Sequence, residues 1–169
     1  MYSQNNNEHL FVYGTLRKEI NHPMSDILQK YTRNGMNGWF SGKLFDVGSF
    51  PAAVLGDENS DQVHGEIYEI TNSDALFHHL DPYEGYDAKT PSKSLYLRKK
   101  VMVKTNIERQ HTAWIYLYNR SVENLPYIPG GNYLDYLEKN SWNPTNIRNK
   151  FRYDPVRVFL PIACVLWIF

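Results

Sequence analysis

Two short segments hold the residues whose types and spacing suit chemistry. The first is Tyr13-Gly14-Thr15-Leu16-Arg17, directly after the apolar run Leu10-Phe11-Val12. A glycine at the end of a buried strand lets a ligand approach the backbone and can take positive φ. The amides that follow can converge on one concavity and bind an oxygen or a carboxylate. The glycine spacing of a P-loop or a dinucleotide fingerprint is absent. The plain alternative is an ordinary strand-end turn with a solvated Arg17. The second segment is Leu80-Asp81-Pro82-Tyr83-Glu84-Gly85-Tyr86-Asp87. A carboxyl group held between aromatic rings loses solvation, its pKa rises, and it becomes usable as a general acid or base. Glu84 is therefore the candidate base, against the alternative of a solvated glutamate in a turn. Asp81 competes with it, but immediately before Pro82 it reads better as a helix terminator.

Tyrosines form a third group. Tyr96 opens one strand pattern. Tyr116 and Tyr118 share a face of another with Trp114, and Ala113, Ile115 and Leu117 take the opposite face. A tyrosine beside a pocket can offer its hydroxyl to a substrate carboxylate, although packing is the commoner use. The adjacent His78 and His79 diverge by about 100° on a helix and cannot share an ion. With no H-x-x-x-H spacing and a single cysteine, Cys164, no metal site is expected. A G-x-S-x-G nucleophile elbow is also absent. Arg98-Lys99-Lys100 alternates sides on a strand and reads as a solvated edge.

These groups need elements to hold them. Leu10–Tyr13 suits a buried strand. Met24, Ile27, Leu28 and Tyr31 recur at helical spacing, with Asn34-Gly35 as a stop. Strand patterns follow over 39–55, 63–70, 95–103 and 113–118. Asn72 and its neighbours offer an N-cap for a helix carrying Leu76, Phe77 and Leu80, which Pro82 should end near residues 79–81. Tyr133 to Glu138 suits a last helical turn or two. Strands dominate and helices do not alternate with them, so the expected class is α+β, a small mixed barrel or curled sheet with short flanking helices.

The chain of 169 residues fits one domain with length to spare. It has 18 basic and 18 acidic residues, so no net field draws it to nucleic acid. The polar start MYSQNNNEHL lacks the pattern of a signal peptide, and no run reaches the roughly 18 apolar residues of a spanning helix. A cytoplasmic location is the expectation. Residues 1–8 read as a disordered lead-in, 9–139 as the domain, and 140–169 as an extension. The extension ends in VFLPIACVLWIF, which is too short to cross a bilayer. It is read first as a weakly ordered or non-native addition, then as an arm or an interfacial segment.

In combination the motifs resemble the γ-glutamylcyclotransferase-like superfamily, in particular its γ-glutamylamine cyclotransferase branch. The carrying residues are Tyr13-Gly14-Thr15-Leu16-Arg17, Phe50-Pro51-Ala52, Val63-His64-Gly65-Glu66-Ile67-Tyr68 and Leu80-Asp81-x-Tyr83-Glu84-Gly85. Tyr96-x-Arg98, Ala113-Trp114-x-Tyr116-x-Tyr118 and Gly131-Asn132-Tyr133 complete the order. The resemblance implies a small mixed β-barrel and an enzyme of the acyltransferase or lyase class. In its reaction the α-amine of a γ-glutamyl group attacks its own γ-carbonyl, giving 5-oxoproline and a free amine or amino acid. It implies no cofactor and no metal, with a small γ-glutamyl compound as the partner. By the same resemblance Glu84 is the catalytic glutamate, and Tyr13, Gly14, Thr15 and Leu16 cradle the glutamyl group. Tyr96 and Tyr118 fall among the pocket tyrosines. The alternative is a non-catalytic member of the same fold that binds a metabolite or a protein. The leaving amine and the oligomeric state are not written in the sequence.

Overall fold

A computed structural model describes residues 8–20, 22–57, 61–107 and 109–140. The extension beyond residue 140 and the lead-in before Glu8 lie outside the described residues. The described residues form six strands: β1 (His9–Val12), β2 (Thr32–Asp46), β3 (Pro51–Leu55), β4 (Gln62–Ile70), β5 (Tyr96–Thr105) and β6 (Gln110–Tyr118). Three short helices, α1 (Ser25–Tyr31), α2 (Ser73–Tyr83) and α3 (Tyr133–Lys139), join them. The order is β3-β2-β4-β1-β6-β5, and β5 returns to β2 through Gly38–Thr105 and Trp39–Lys104. Five strands thus close a barrel and β3 extends β2 outside it. The central β1 runs antiparallel to β4 and parallel to β6.

Alternation divides the apolar residues into two layers. Phe11, Phe40, Val63, Ile67, Val103, Ala113 and Ile115 fill one cluster, on which Tyr133 of α3 packs. Leu10, Val12, Tyr96 and Tyr116 face the other way and meet Leu28 of α1 and Leu76, Phe77 and Leu80 of α2. The mixed-barrel expectation is met. No helix among the described residues is long and apolar enough to cross a membrane.

Four local expectations are corrected. α1 ends at Tyr31, where the Thr32 hydroxyl donates to the Leu28 carbonyl at 2.7 Å, and β2 begins at once. Asn34, at φ 56°, sits in an irregularity of β2 rather than at a helix stop. The polar, exposed residues 33–35 concealed that part of the strand. α2 runs through Pro82 to Tyr83. The missing amide costs one bond to the carbonyl of exposed His78, and the ladder resumes with Glu84 N–H to Leu80 O at 2.9 Å. Glu8, assigned to the lead-in, is tied down: its carboxylate accepts from Ser73 and the Trp114 indole. Arg98, read as part of a solvated edge, is held by side chains: its guanidinium lies 3.8 Å from the Phe77 ring centroid, although among the described residues β5 pairs with β2 only at Lys104 and Thr105.

Candidate active site

Glu84 owes its position to the way α2 begins and ends. Asn72 accepts from the Ala75 amide at 3.0 Å and caps the start. Leu76, Phe77 and Leu80 bury one side against the barrel. At the other end the Tyr86 amide donates to the Asp81 carbonyl at 2.8 Å and the Gly85 amide to the Pro82 carbonyl at 3.2 Å. This pair of bonds is a Schellman closure, and it needs the left-handed backbone that Gly85 adopts at φ 62°. Glu84 is the capping residue inside it. A β-branched residue resists that backbone. Gly85→Val is expected to cost about 1–2 kcal/mol of stability, and to lower turnover by more than the melt accounts for, because it turns Glu84. Thermal melts and initial rates on one preparation check this.

The Glu84 carboxyl is pushed up to about 8, first by burial and second by the like charge of Asp81, one helical turn earlier. The negative end of the helix dipole acts in the same direction. Asp81 itself is held by two partners, the Tyr116 hydroxyl at 2.7 Å and the Arg98 guanidinium at 3.1 Å. Two acidic groups thus share one helix face, one paired with an arginine and the other with its carboxyl raised.

The segment after β1 lies alongside. The Tyr13 hydroxyl donates to the Tyr116 carbonyl at 2.7 Å. The Arg17 amide donates to the Gly14 carbonyl at 3.1 Å and closes the turn. Gly14 does not use positive φ. A Cβ there would come 2.8 Å from Pro51 Cγ, so the glycine permits close packing of the turn on β3. Arg17 is not solvated. Its Nε donates to Glu66 Oε1 at 3.1 Å with both side chains 7 % exposed, and its Nη1 donates to Asn132 Oδ1 at 2.8 Å. Glu66 also accepts from the Tyr68 hydroxyl at 2.6 Å and the Lys18 amide at 3.2 Å. Burial opposes the Glu66 charge, but these donors hold its carboxyl below the usual range. The loop is therefore bolted to β4 and to the cap of α3.

Aromatic rings complete the surroundings. The Tyr96 hydroxyl donates to the Pro51 carbonyl at 2.8 Å, and its ring meets Tyr118 at 5.5 Å and Phe50 at 6.1 Å. Burial first, and the Glu84 charge after it, push the phenols of Tyr13 and Tyr83 up; burial, then Tyr13, then Glu84 push up that of Tyr96. The two candidate segments therefore meet. Tyr13 and Tyr96 feel the charge of Glu84. Thr15 reaches the neighbourhood through Tyr83, whose hydroxyl lies 3.5 Å from Thr15 Oγ1. Leu16 is buried with Leu80, and Tyr118 arrives through Tyr96. Tyr13 and Tyr96 have committed their protons to backbone carbonyls.

Sequence reasoning quoted Arg98, Glu66 and Tyr83 as motif residues without giving them a place at the site, and did not single out His22. The i, i+3 spacing of Asp81 and Glu84 was readable as one helix face. The register that sets Arg98 opposite Tyr116 was not, because pairing between strands leaves no local trace.

Comparison with known proteins agrees with this architecture. The family profile described as gamma-glutamyl cyclotransferase, AIG2-like, matches residues 10–135. A gamma-glutamylcyclotransferase family protein, YtfP, from Citrobacter rodentium is 33 % identical over 135 residues, covering 75 % of this chain and 95 % of that protein. Among solved structures, YkqA of Bacillus subtilis superposes with a TM-score of 0.59 at 28 % identity, over 81 % of this chain and 44 % of that one. An AIG2-like protein of Mus musculus shares the fold with a TM-score of 0.54 at 21 % identity, covering 75 % of this chain and 94 % of that one. The match spans both segments of the site, from the loop after β1 to the end of α2 and beyond, and on it the chain belongs to the gamma-glutamyl cyclotransferase, AIG2-like family.

Proposed function

We propose that the protein cyclises the γ-glutamyl group of a small amide to 5-oxoproline and releases the amine. The observation that carries this reading is Glu84, fixed at the end of α2 with its carboxyl raised to about 8 beside the loop Tyr13–Leu16. A substrate ammonium cannot attack until it loses a proton, and the leaving nitrogen must gain one. A single carboxyl group with a pKa near the working pH does both in turn. It takes a proton from the α-ammonium and gives it up to water, and the neutral amine closes on the γ-carbonyl; the carboxylate then takes the second proton that the ring nitrogen sheds and hands it to the departing nitrogen as the C–N bond breaks, so the lactam keeps one N–H and the amine leaves neutral. The amides of Gly14, Thr15 and Leu16 are the donors proposed for the developing oxyanion. Holding the glutamyl chain bent supplies much of the acceleration, because the attack is intramolecular.

The test is incubation with a series of γ-glutamyl amines and γ-glutamyl amino acids, with chromatographic detection of 5-oxoproline. Absence of 5-oxoproline across the series, with ligand binding retained, would leave a binding protein of the same fold. A pH profile adds a sharper check. The base must be ionised, so kcat/KM should rise with pH through a limb near 8 in the free enzyme. Asp81→Asn keeps an acceptor for Tyr116 and removes the like charge. The limb should then move to lower pH, and an unmoved limb would assign it to another group.

A further inference from the structure

Beside Glu84 stands an arrangement of hydroxyls that the reaction above does not use. The Met24 amide donates to His22 Nδ1 at 3.1 Å. An amide can only donate, so Nδ1 carries no proton, and the neutral ring holds its proton on Nε2. Burial pushes His22 down to about 4, which keeps it neutral near pH 7. His22 Nε2 lies 3.2 Å from the Tyr83 hydroxyl oxygen, with the two rings edge to face at 5.3 Å. His22 Nε2–H therefore donates to Tyr83, and the Tyr83 proton must point elsewhere. Its other neighbour is Thr15 Oγ1 at 3.5 Å, too far for a strong O–H···O bond. Both oxygens are close enough to be bridged by one carboxylate, and both residues are half-buried.

A γ-glutamyl group brings three polar functions. The amine and the γ-carbonyl react and must lie by Glu84, which leaves the α-carboxylate to be anchored. The two arginines beside the site are committed, Arg17 to Glu66 and Asn132, and Arg98 to Asp81. We propose that the hydroxyls of Tyr83 and Thr15 form a two-pronged neutral donor for the substrate's α-carboxylate, with His22 fixing the direction of the Tyr83 proton. The assignment rests on the cyclotransferase reading and names its specificity device: amides that keep the α-carboxylate are selected over those that lack it. Neutral donors suit this task, because a cation there would further stabilise the ionised form of Glu84 and undo its raised pKa.

The experiment compares 5-oxoproline with 2-pyrrolidinone, the same ring without the carboxylate, by NMR titration of the full chain. Wild type should prefer 5-oxoproline. Tyr83→Phe and Thr15→Val, two independent variants, should each shrink that preference by about tenfold while leaving the affinity for 2-pyrrolidinone in place. A role confined to folding would weaken both ligands together. An unchanged ratio in folded Tyr83→Phe and Thr15→Val overturns the donor pair. His22→Leu should give an intermediate ratio, and a wild-type ratio there removes His22 from the arrangement. If wild type binds 5-oxoproline but forms none from γ-glutamyl amides, the catalytic reading fails and the carboxylate site stands. If it binds neither ring, the carboxylate site fails, and formation of 5-oxoproline from γ-glutamyl amides decides the catalytic reading by itself.

Discussion

Glu84→Gln should fold, retain 5-oxoproline binding and lose turnover by about two to four orders of magnitude. The substitution is nearly isosteric and cannot take a proton. It also carries a stability signature that a merely structural glutamate would not show. The folded pKa of Glu84 lies above its unfolded value of 4.5, so the folded state binds the extra proton between 4.5 and about 8. Stability from this group therefore falls as pH rises through that window and stays low above it. Gln has no charge to bury. The variant should be more stable than wild type at pH 8–9 and should lose the advantage near pH 5. Calorimetric melts at the two pH values, beside single-turnover rates, measure both halves. Near-wild-type turnover would remove Glu84 from the mechanism, and an equal stability difference at both pH values would remove the buried charge.

The second large effect belongs to the bolt beneath the loop. Glu66→Ala leaves Arg17 buried without its counter-charge, and breaking such a pair costs about 3–5 kcal/mol. For a domain of this size that lowers Tm by on the order of 10–20 °C. Replacing both partners, with Arg17→Met and Glu66→Leu, should recover much of the loss, because no lone charge remains. The double variant should still bind 5-oxoproline poorly, since the turn at Gly14 then floats free of β4. Denaturant melts with ligand titrations separate the two. The sign in acid follows from the lowered carboxyl of Glu66: its support is present above its unfolded pKa and is lost as pH falls through the folded one. If the double variant is as unstable as Glu66→Ala, shape rather than charge holds this corner.

How much of this was legible beforehand depended on range. The strand Leu10–Tyr13, the helix carrying Leu76, Phe77 and Leu80, and the two faces of β6 follow from side-chain periodicity, which is local. Glu84 drew notice through its aromatic neighbours Tyr83 and Tyr86, which are also local, although the helix end that fixes it was placed a turn too early. Arg17 was misjudged because a turn arginine is usually solvated, and only the return of β4 sets Glu66 beneath it. Arg98 was misjudged because only the packing of α2 on the sheet brings Asp81 and the Phe77 ring to it. Pro82 marked a boundary too early, because a proline in a last turn forfeits a single bond, and Gly85 rather than Pro82 stops the helix. His22 has no periodicity to announce it. Its partners come from its own turn and from a helix 61 positions away.

The place of β1 between β4 and β6 has a consequence for the order in which the molecule is made. Strand β1 leaves the ribosome first, yet Tyr13 finds its partner on Tyr116, 103 positions later. At synthesis rates of about 5–20 residues per second, that partner arrives on the order of 5–20 s afterwards. Until then the nascent chain carries Leu10-Phe11-Val12-Tyr13 with at most one neighbour, the antiparallel β4. A parallel pairing across so long a loop is slow to find even once both strands exist. The turn proposed to receive substrate is thus the earliest part of the candidate site to be synthesised and among the last to be secured.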